Sequence, residues 1–280
     1  MTDSLAFLGP AGTYAEAAAL ACAQWWQREV DTQFQLRPYG SIFQALQAAA
    51  TQECNFAIVP VENSIEGSVN MTLDTLWQFD TLQVQQAWVL PISHALLSQA
   101  DDIQKIEAVY SHPQALAQCQ GWLQKHLPQA KLVPTRSTTE ALHHLEETPT
   151  RGAIASRRAA KIYHLPVLAH PINDHPDNCT RFWLMSSQQS SSGSHSSLAF
   201  SLPSNAPGAL LKPLQFFAER NINMSRIESR PTKRALGEYV FFIDIERNLS
   251  SPDIDSGLEE LKKYTETLKI FGSYSIHAAT

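Results

Sequence analysis

The chain has 280 residues, 44% of them hydrophobic and 17% charged, with a formal net charge of −6 at pH 7. That composition supports more than one folded core and excludes a disordered chain, and the acidic balance without a Lys/Arg run excludes a broad nucleic-acid face or a basic membrane patch. No stretch approaches the ~18 consecutive apolar residues of a membrane helix. The start, MTDSLAFLGPAG, has neither a basic leader nor an apolar segment, so a cytoplasmic chain is expected. Cys22, Cys54, Cys119 and Cys179 lie far apart without CxxC spacing, and neither disulfides nor a metal site is expected.

In chain order, short apolar runs alternate with helical patterns: LAFLG then TYAEAAALACAQWW, SIFQALQAAA then FAIVPV, IEAVYS then PQALAQCQGWLQKHL, TTEALHHLEE then GAIAS. This alternation predicts a mainly parallel α/β sheet with ligand-binding loops at the strand ends. SSQQSSSGSHSS, Ser186 to Ser197, has the composition of a flexible linker. Beyond it, LAFSLP predicts a strand, and Leu210, Leu214 and Phe217 recur at helical spacing. MSRIESR and the alternating EYVFFIDIE follow. Ser251-Pro252 opens a helix with Ile254, Leu258, Leu261 and Leu268 on one stripe, and FGSYSIH closes the chain as a strand. The order is βαββαβ, a ferredoxin-like unit. Pro213 is compatible with its helix if it falls in the first turn, where backbone N–H groups have no intrahelical partner.

Several motifs are candidates for chemistry. Gly9-Pro10-Ala11-Gly12-Thr13 precedes a long helix and suits either an anion or a plain turn capped by Thr13, and Ser111 before Pro113 allows the same two roles. VPVENSIEGSV runs from a buried strand into a polar loop, where Glu62 is a candidate general acid or base, or else a solvated loop carboxylate. His94, His112, His143 and His144 have no partner in a recognisable catalytic motif, and surface or capping roles are expected. In DNCTRF, strand alternation places Cys179 and Arg181 on one face and Thr180 with Phe182 on the other.

Together GPAGTYAEAA, VPVENSIEGSV, YSHPQALAQC, NDHPDNCTRF and PGALLKPLQFFAERNINMSRIESRP resemble prephenate dehydratase joined to a C-terminal ACT regulatory domain, from about Ala6 to Ser275. The resemblance implies an α/β catalytic domain over 1–187 with two lobes like those of type II periplasmic binding proteins. One lobe takes in about 1–84 and 170–187, the other about 85–169. A linker over 188–197 and the ferredoxin-like ACT domain over 198–280 complete the chain. It implies catalysis by Thr180 with Glu62 as a possible relay, and substrate binding by Thr13, Asn63, Ser64, Gly67, Ser68, Ser111, Gln118, Arg181 and Phe182. Phenylalanine is expected to bind near Gly208, Ala209, Leu210, Asn223, Glu228 and Ser229 and to inhibit. Neither metal nor redox cofactor is implied, and a homodimer or tetramer is. Pro213 and Asn221 depart from the family pattern, the latter standing where glycine is common. Arogenate dehydratase, acting on the amino analogue of prephenate, and a non-catalytic small-molecule sensor remain the alternatives.

Overall fold

Three helices begin where the sequence supplies a hydroxyl: Thr13, Ser41 and Ser156 each accept a hydrogen bond from the backbone N–H three residues on. The computed structural model describes residues 2–146, 148–249 and 251–279. The first lobe contains β1 (Thr2–Leu8), α1 (Tyr14–Glu29), β2 (Gln33–Tyr39), α2 (Ile42–Ala50), β3 (Phe56–Asn63), β4 (Gly67–Ser68), α3 (Asn70–Gln78) and β5 (Gln83–Pro91). The second comprises β6 (His94–Ser98), β7 (Ala108–Ser111), α4 (Pro113–Ala117), α5 (Gln120–His126), β8 (Lys131–Pro134), α6 (Glu140–His143), β9 (Arg151–Ser156), α7 (Arg157–Ile162) and β10 (Val167–Ala169). The chain then returns to the first lobe as β11 (Cys179–Ser186), which lies between β3 and β5 and antiparallel to both. This is the expected two-lobed α/β arrangement, with two crossings between lobes. The expected boundary at residue 84 falls inside β5, which stays in the larger sheet to Pro91.

The C-terminal unit is β12 (His195–Ser201), α8 (Leu211–Glu219), β13 (Met224–Pro231), β14 (Tyr239–Ile245), α9 (Pro252–Lys262) and β15 (Thr267–Ala278). Its strand order β13-β14-β12-β15 is that of a ferredoxin-like sheet. Pro213 is the third residue of α8 and costs no intrahelical hydrogen bond, while Asn221 takes φ 53° just past the helix end, a conformation asparagine tolerates. Leu258 and Leu261 are buried in the core of this unit, but Leu268, expected on the same helix, lies on β15. The side chain of Ile254 lies outside the described residues.

The serine-rich segment is a packed connection rather than a flexible one. Its strand begins at His195, three residues before the expected boundary, and Ser190, Ser196 and Ser197 are buried. Ser190 N donates to Gln83 Oε1 (2.8 Å), Ser190 Oγ donates to Ser273 O (2.7 Å), and Asn248 Nδ2 donates to Ser191 O (2.9 Å). At Gly193 an added Cβ would lie 2.1 Å from the carbonyl carbon of Tyr274, so only glycine admits this contact. Serine hydroxyls here satisfy the polar groups that burial would otherwise leave unpaired.

β15 ties the two units into one sheet. Its first part pairs antiparallel with β12, whereas Ser275–Ala278 pairs parallel with β5, giving a ten-stranded sheet. Twelve residues at ~3.3 Å each span roughly 40 Å, enough to serve both partners in turn. At its end His277 stacks on Trp88 (4.9 Å between ring centroids) and packs beside Trp25 (4.7 Å).

Burial lowers the pKa of His94, His112 and His277 below the ordinary imidazole value. The unfolded chain takes up these protons near pH 6.5, while the folded chain does so only at lower pH. Stability from these rings is therefore fully present above about pH 6.5 and lost as the pH falls below it. The melting temperature at pH 5.5 is expected to lie below that at pH 7.5, and a flat profile would count against their burial.

Candidate active site

A cleft of about 880 Å³ opens between the lobes. Its floor comes from β3 and β11, where Thr180 stands opposite Asn63 in the antiparallel register. Thr180 and Phe182 both line the cleft, as strand alternation requires. Thr13, Asn63, His94 and Gln118 also line it.

The polar groups form one connected, buried network. Asn63 Oδ1 accepts from the backbone N–H groups of Ile65 (3.0 Å) and Glu66 (3.1 Å). Asn63 Nδ2 donates to Thr180 Oγ1 (3.0 Å), Asn178 Oδ1 (2.8 Å) and Cys179 O (3.1 Å). Asn178 Nδ2 donates to Gln118 Oε1 (2.9 Å), which also faces His94 Nε2 (3.1 Å). On the other side of the ring, His94 Nδ1 faces the Tyr14 hydroxyl (3.1 Å), which donates to Ser93 O (2.7 Å). The ends of two strands, the turn after β3 and the end of α4 thus meet at Thr180.

Other expected site residues lie elsewhere. Arg181 projects from the opposite face of β11, where it pairs with Glu62 (2.5 Å) and with Asp244 of β14 (2.8 Å). Neither Arg181 nor Glu62 lines the cleft, so this arrangement does not bring either of them beside the Thr180 hydroxyl. Alternation along β11 had already separated Arg181 from Thr180. Ser68 Oγ donates to Glu228 Oε2 (3.0 Å), away from the cleft, and Gly67, at φ 81°, forms the turn into β4. Ser64 braces the floor from behind: its hydroxyl accepts from Cys179 N (3.0 Å).

Ser111 is fully buried and donates to Ile154 O (2.6 Å); His112, not Ser111, caps α4 by accepting from Gln114 N (3.3 Å). Thr13 does cap α1, since its hydroxyl accepts from Glu16 N and donates to Pro10 O (2.9 Å). Glu16 accepts from Gly12 N (2.7 Å) and pairs with Arg158 of α7 in the second lobe. Lys and Arg are represented in the cleft lining by Arg136 alone, an exposed side chain, among the described residues.

Of the residues expected to hold phenylalanine, Gly208 (φ 80°) opens on free space and Ala209 and Leu210 lead into α8. Asn223 O accepts from Glu246 N (3.1 Å), and Glu228 and Ser229 lie on β13 beside Phe242 and Phe241. β13 pairs with β14 alone and is an outer strand of the sheet among the described residues.

Sequence reasoning missed His94, Asn178, Tyr14 and Arg136. His94 was expected in a surface or capping role but is 2% exposed and caps no helix among the described residues. The available signal was its place at the head of the apolar run HALL, where a buried ring nitrogen needs a polar partner.

A two-lobed α/β unit whose mostly apolar cleft carries a polar network at its threonine floor, continuous in one sheet with a ferredoxin-like unit, defines a small-molecule-binding protein joined to a candidate regulatory module. The family model for prephenate dehydratase matches residues 5–190, and that for the ACT domain matches residues 196–264. The chain is 40% identical to a prephenate dehydratase of Lactococcus lactis subsp. cremoris over 98% of both chains. The crystal structure of an Arthrobacter aurescens prephenate dehydratase in complex with L-Phe superposes with a TM-score of 0.86 at 34% identity, covering 97% of this chain and 90% of that one. GqqA, described as a quorum quenching acylase, superposes with a TM-score of 0.79 at 25% identity over 98% of both chains. The chain belongs to the prephenate dehydratase family and carries a C-terminal ACT domain.

Proposed function

We propose that the chain is a carbon–oxygen lyase that converts prephenate to phenylpyruvate, with L-phenylalanine as an inhibitor acting through the ACT domain. The bond between the ring and its carboxylate breaks to release CO₂, those electrons aromatise the ring, and the C–O bond to the ring hydroxyl breaks. The leaving hydroxide becomes water on gaining one proton. The observation that carries this reading is the direction of one hydrogen bond: Asn63 Nδ2 donates to Thr180 Oγ1, so the threonine proton is free to point into the cleft at the departing oxygen. A threonine hydroxyl is too weak an acid to surrender its proton outright, so it polarises the leaving group and solvent water supplies the proton. Arg136 takes the carboxylate-binding role first expected of Arg181, because it is the guanidinium that lines the cleft. The outer edge of β13, with Ile227 and Leu211 exposed nearby in the same unit, suits pairing of two ACT domains.

An acylase reaction is less well served. It needs an activated nucleophile, and among the described residues Thr180 Oγ1 has an amide donor and no histidine or lysine base. Incubating the purified protein separately with prephenate and arogenate, with and without L-phenylalanine, tests the proposal. Phenylpyruvate formed from prephenate and suppressed by phenylalanine is the expected result. Inertness toward prephenate overturns the activity, and faster turnover of arogenate reassigns the substrate.

A further inference from the structure

The cleft network has a direction, and it can be traced without assuming the position of any side-chain hydrogen. Its anchor is the backbone. Ile65 N and Glu66 N can only donate, so the Asn63 atom that faces both of them is Oδ1 and the other is the amide nitrogen. That nitrogen meets Asn178 at 2.8 Å, so the Asn178 atom there is the oxygen, and its amide nitrogen is the one 2.9 Å from Gln118. Gln118 must then present Oε1 to Asn178, which leaves its Nε2 toward Asn63 Oδ1 (3.4 Å), as the anchor also demands. The same Gln118 Oε1 lies 3.1 Å from His94 Nε2, and an oxygen without a proton requires a donor there.

We propose that His94 is a positioning residue which, with its proton on Nε2, holds Gln118 and through it Asn178 and Asn63 in the one orientation that leaves the Thr180 proton facing the substrate. This rests on the function proposed above for Thr180. Moving the ring proton to Nδ1 would set two lone pairs against each other at Gln118. Turning the Gln118 amide to escape that clash sets its N–H groups against those of Asn178, and turning Asn178 sets its N–H groups against Asn63 Nδ2. Each member is 9% exposed or less, so little of the mismatch can be relieved by water from the cleft.

The surroundings favour the neutral ring. Burial lowers the His94 pKa, although the Gln118 hydrogen bond opposes this, and burial raises that of Tyr14, so the phenol keeps its proton. With the His94 proton on Nε2, Nδ1 carries a lone pair toward the Tyr14 hydroxyl, whose single proton serves either Nδ1 (3.1 Å) or Ser93 O (2.7 Å). Neither ring nitrogen is left over for the substrate, so His94 acts through Gln118 rather than on the reacting atoms.

Two substitutions separate the ring nitrogens. In His94→Gln the amide nitrogen reaches the place of Nε2, whereas in His94→Asn it reaches only that of Nδ1. With prephenate as substrate, His94→Gln is expected to retain kcat within about threefold, and His94→Asn to lose at least about tenfold in kcat with little change in KM, the scale of one buried hydrogen bond. Equal kcat in the two variants, or a loss confined to KM, overturns the proposal. The ring ¹⁵N spectrum of ligand-free wild-type protein, with His94 assigned by its loss in the glutamine variant, reads the tautomer without any turnover. A neutral Nε2–H ring is expected, and an Nδ1–H ring overturns the proposal even if the enzyme is active. Absence of prephenate turnover in the wild type together with an Nε2–H ring would instead overturn the assigned reaction while leaving the network's direction intact.

Discussion

Prephenate turnover by Thr180→Val is expected to fall by about 10²- to 10³-fold, the cost of removing one positioned hydrogen-bond donor from a departing oxygen. Valine has nearly the shape of threonine, and position 180 is buried between two strands, so the cleft keeps its form. Asn63 Nδ2 loses one acceptor but keeps Asn178 Oδ1 and Cys179 O, and the cost to folding is small. The loss therefore falls on kcat rather than on the melting temperature. Thr180→Ser retains the hydroxyl under the same Asn63 donor and is expected to keep most of the activity. Steady-state kinetics of both variants decide the matter: a valine enzyme as fast as the wild type removes Thr180 from the chemistry.

Asp244→Ala is expected to lower the stability of the whole chain by ~3–5 kcal/mol, the cost of removing one partner from a buried ion pair. Asp244 is 1% exposed and accepts from Arg181 Nη2 (2.8 Å), Arg226 Nε (2.9 Å) and Ser197 Oγ (2.6 Å). Although burial pulls the Arg181 pKa down, Asp244, Tyr274 and Glu62 together hold it above its ordinary value. Arg226 has no other carboxylate within reach among the described residues, and its Nη2 has no partner at all. Without Asp244 two buried guanidinium groups share a site that retains Glu62, whose own side chain is one-third exposed. Because Arg181 adjoins Thr180 on β11, a fall in kcat should accompany the fall in stability. Denaturant unfolding of Asp244→Ala against wild type measures the first effect, and an unchanged midpoint with an unchanged slope would show that water already solvates the cluster.

The contrast between Thr180 and Arg181 shows how far residue order alone reaches. Alternation along a strand separates neighbouring side chains onto opposite faces, and it assigned Thr180 and Phe182 to one and Arg181 to the other. It does not say what covers either face. The cleft covers the first because the second lobe returns over β3 and β11, and the ACT domain covers the second because β14 brings Asp244 against it. Motif order places the Arg181 guanidinium beside the Thr180 hydroxyl, while its partners in the fold lie 63 and 119 residues away in the chain.

Local order determined the strand–helix alternation, the ferredoxin-like order from Leu198 onward, the tolerance of Pro213 and Asn221, and the family blocks, since each depends on the backbone preferences or spacing of near neighbours. Tertiary structure alone decided that the serine-rich connection is packed, that β15 continues the sheet of the first lobe, and that His94 lines the cleft against Gln118. Serine composition is the same in a solvated linker and in a segment whose hydroxyls meet a strand 77 to 83 residues away. A histidine's role likewise depends on which amides surround its ring, and those come from parts of the chain that only folding brings together.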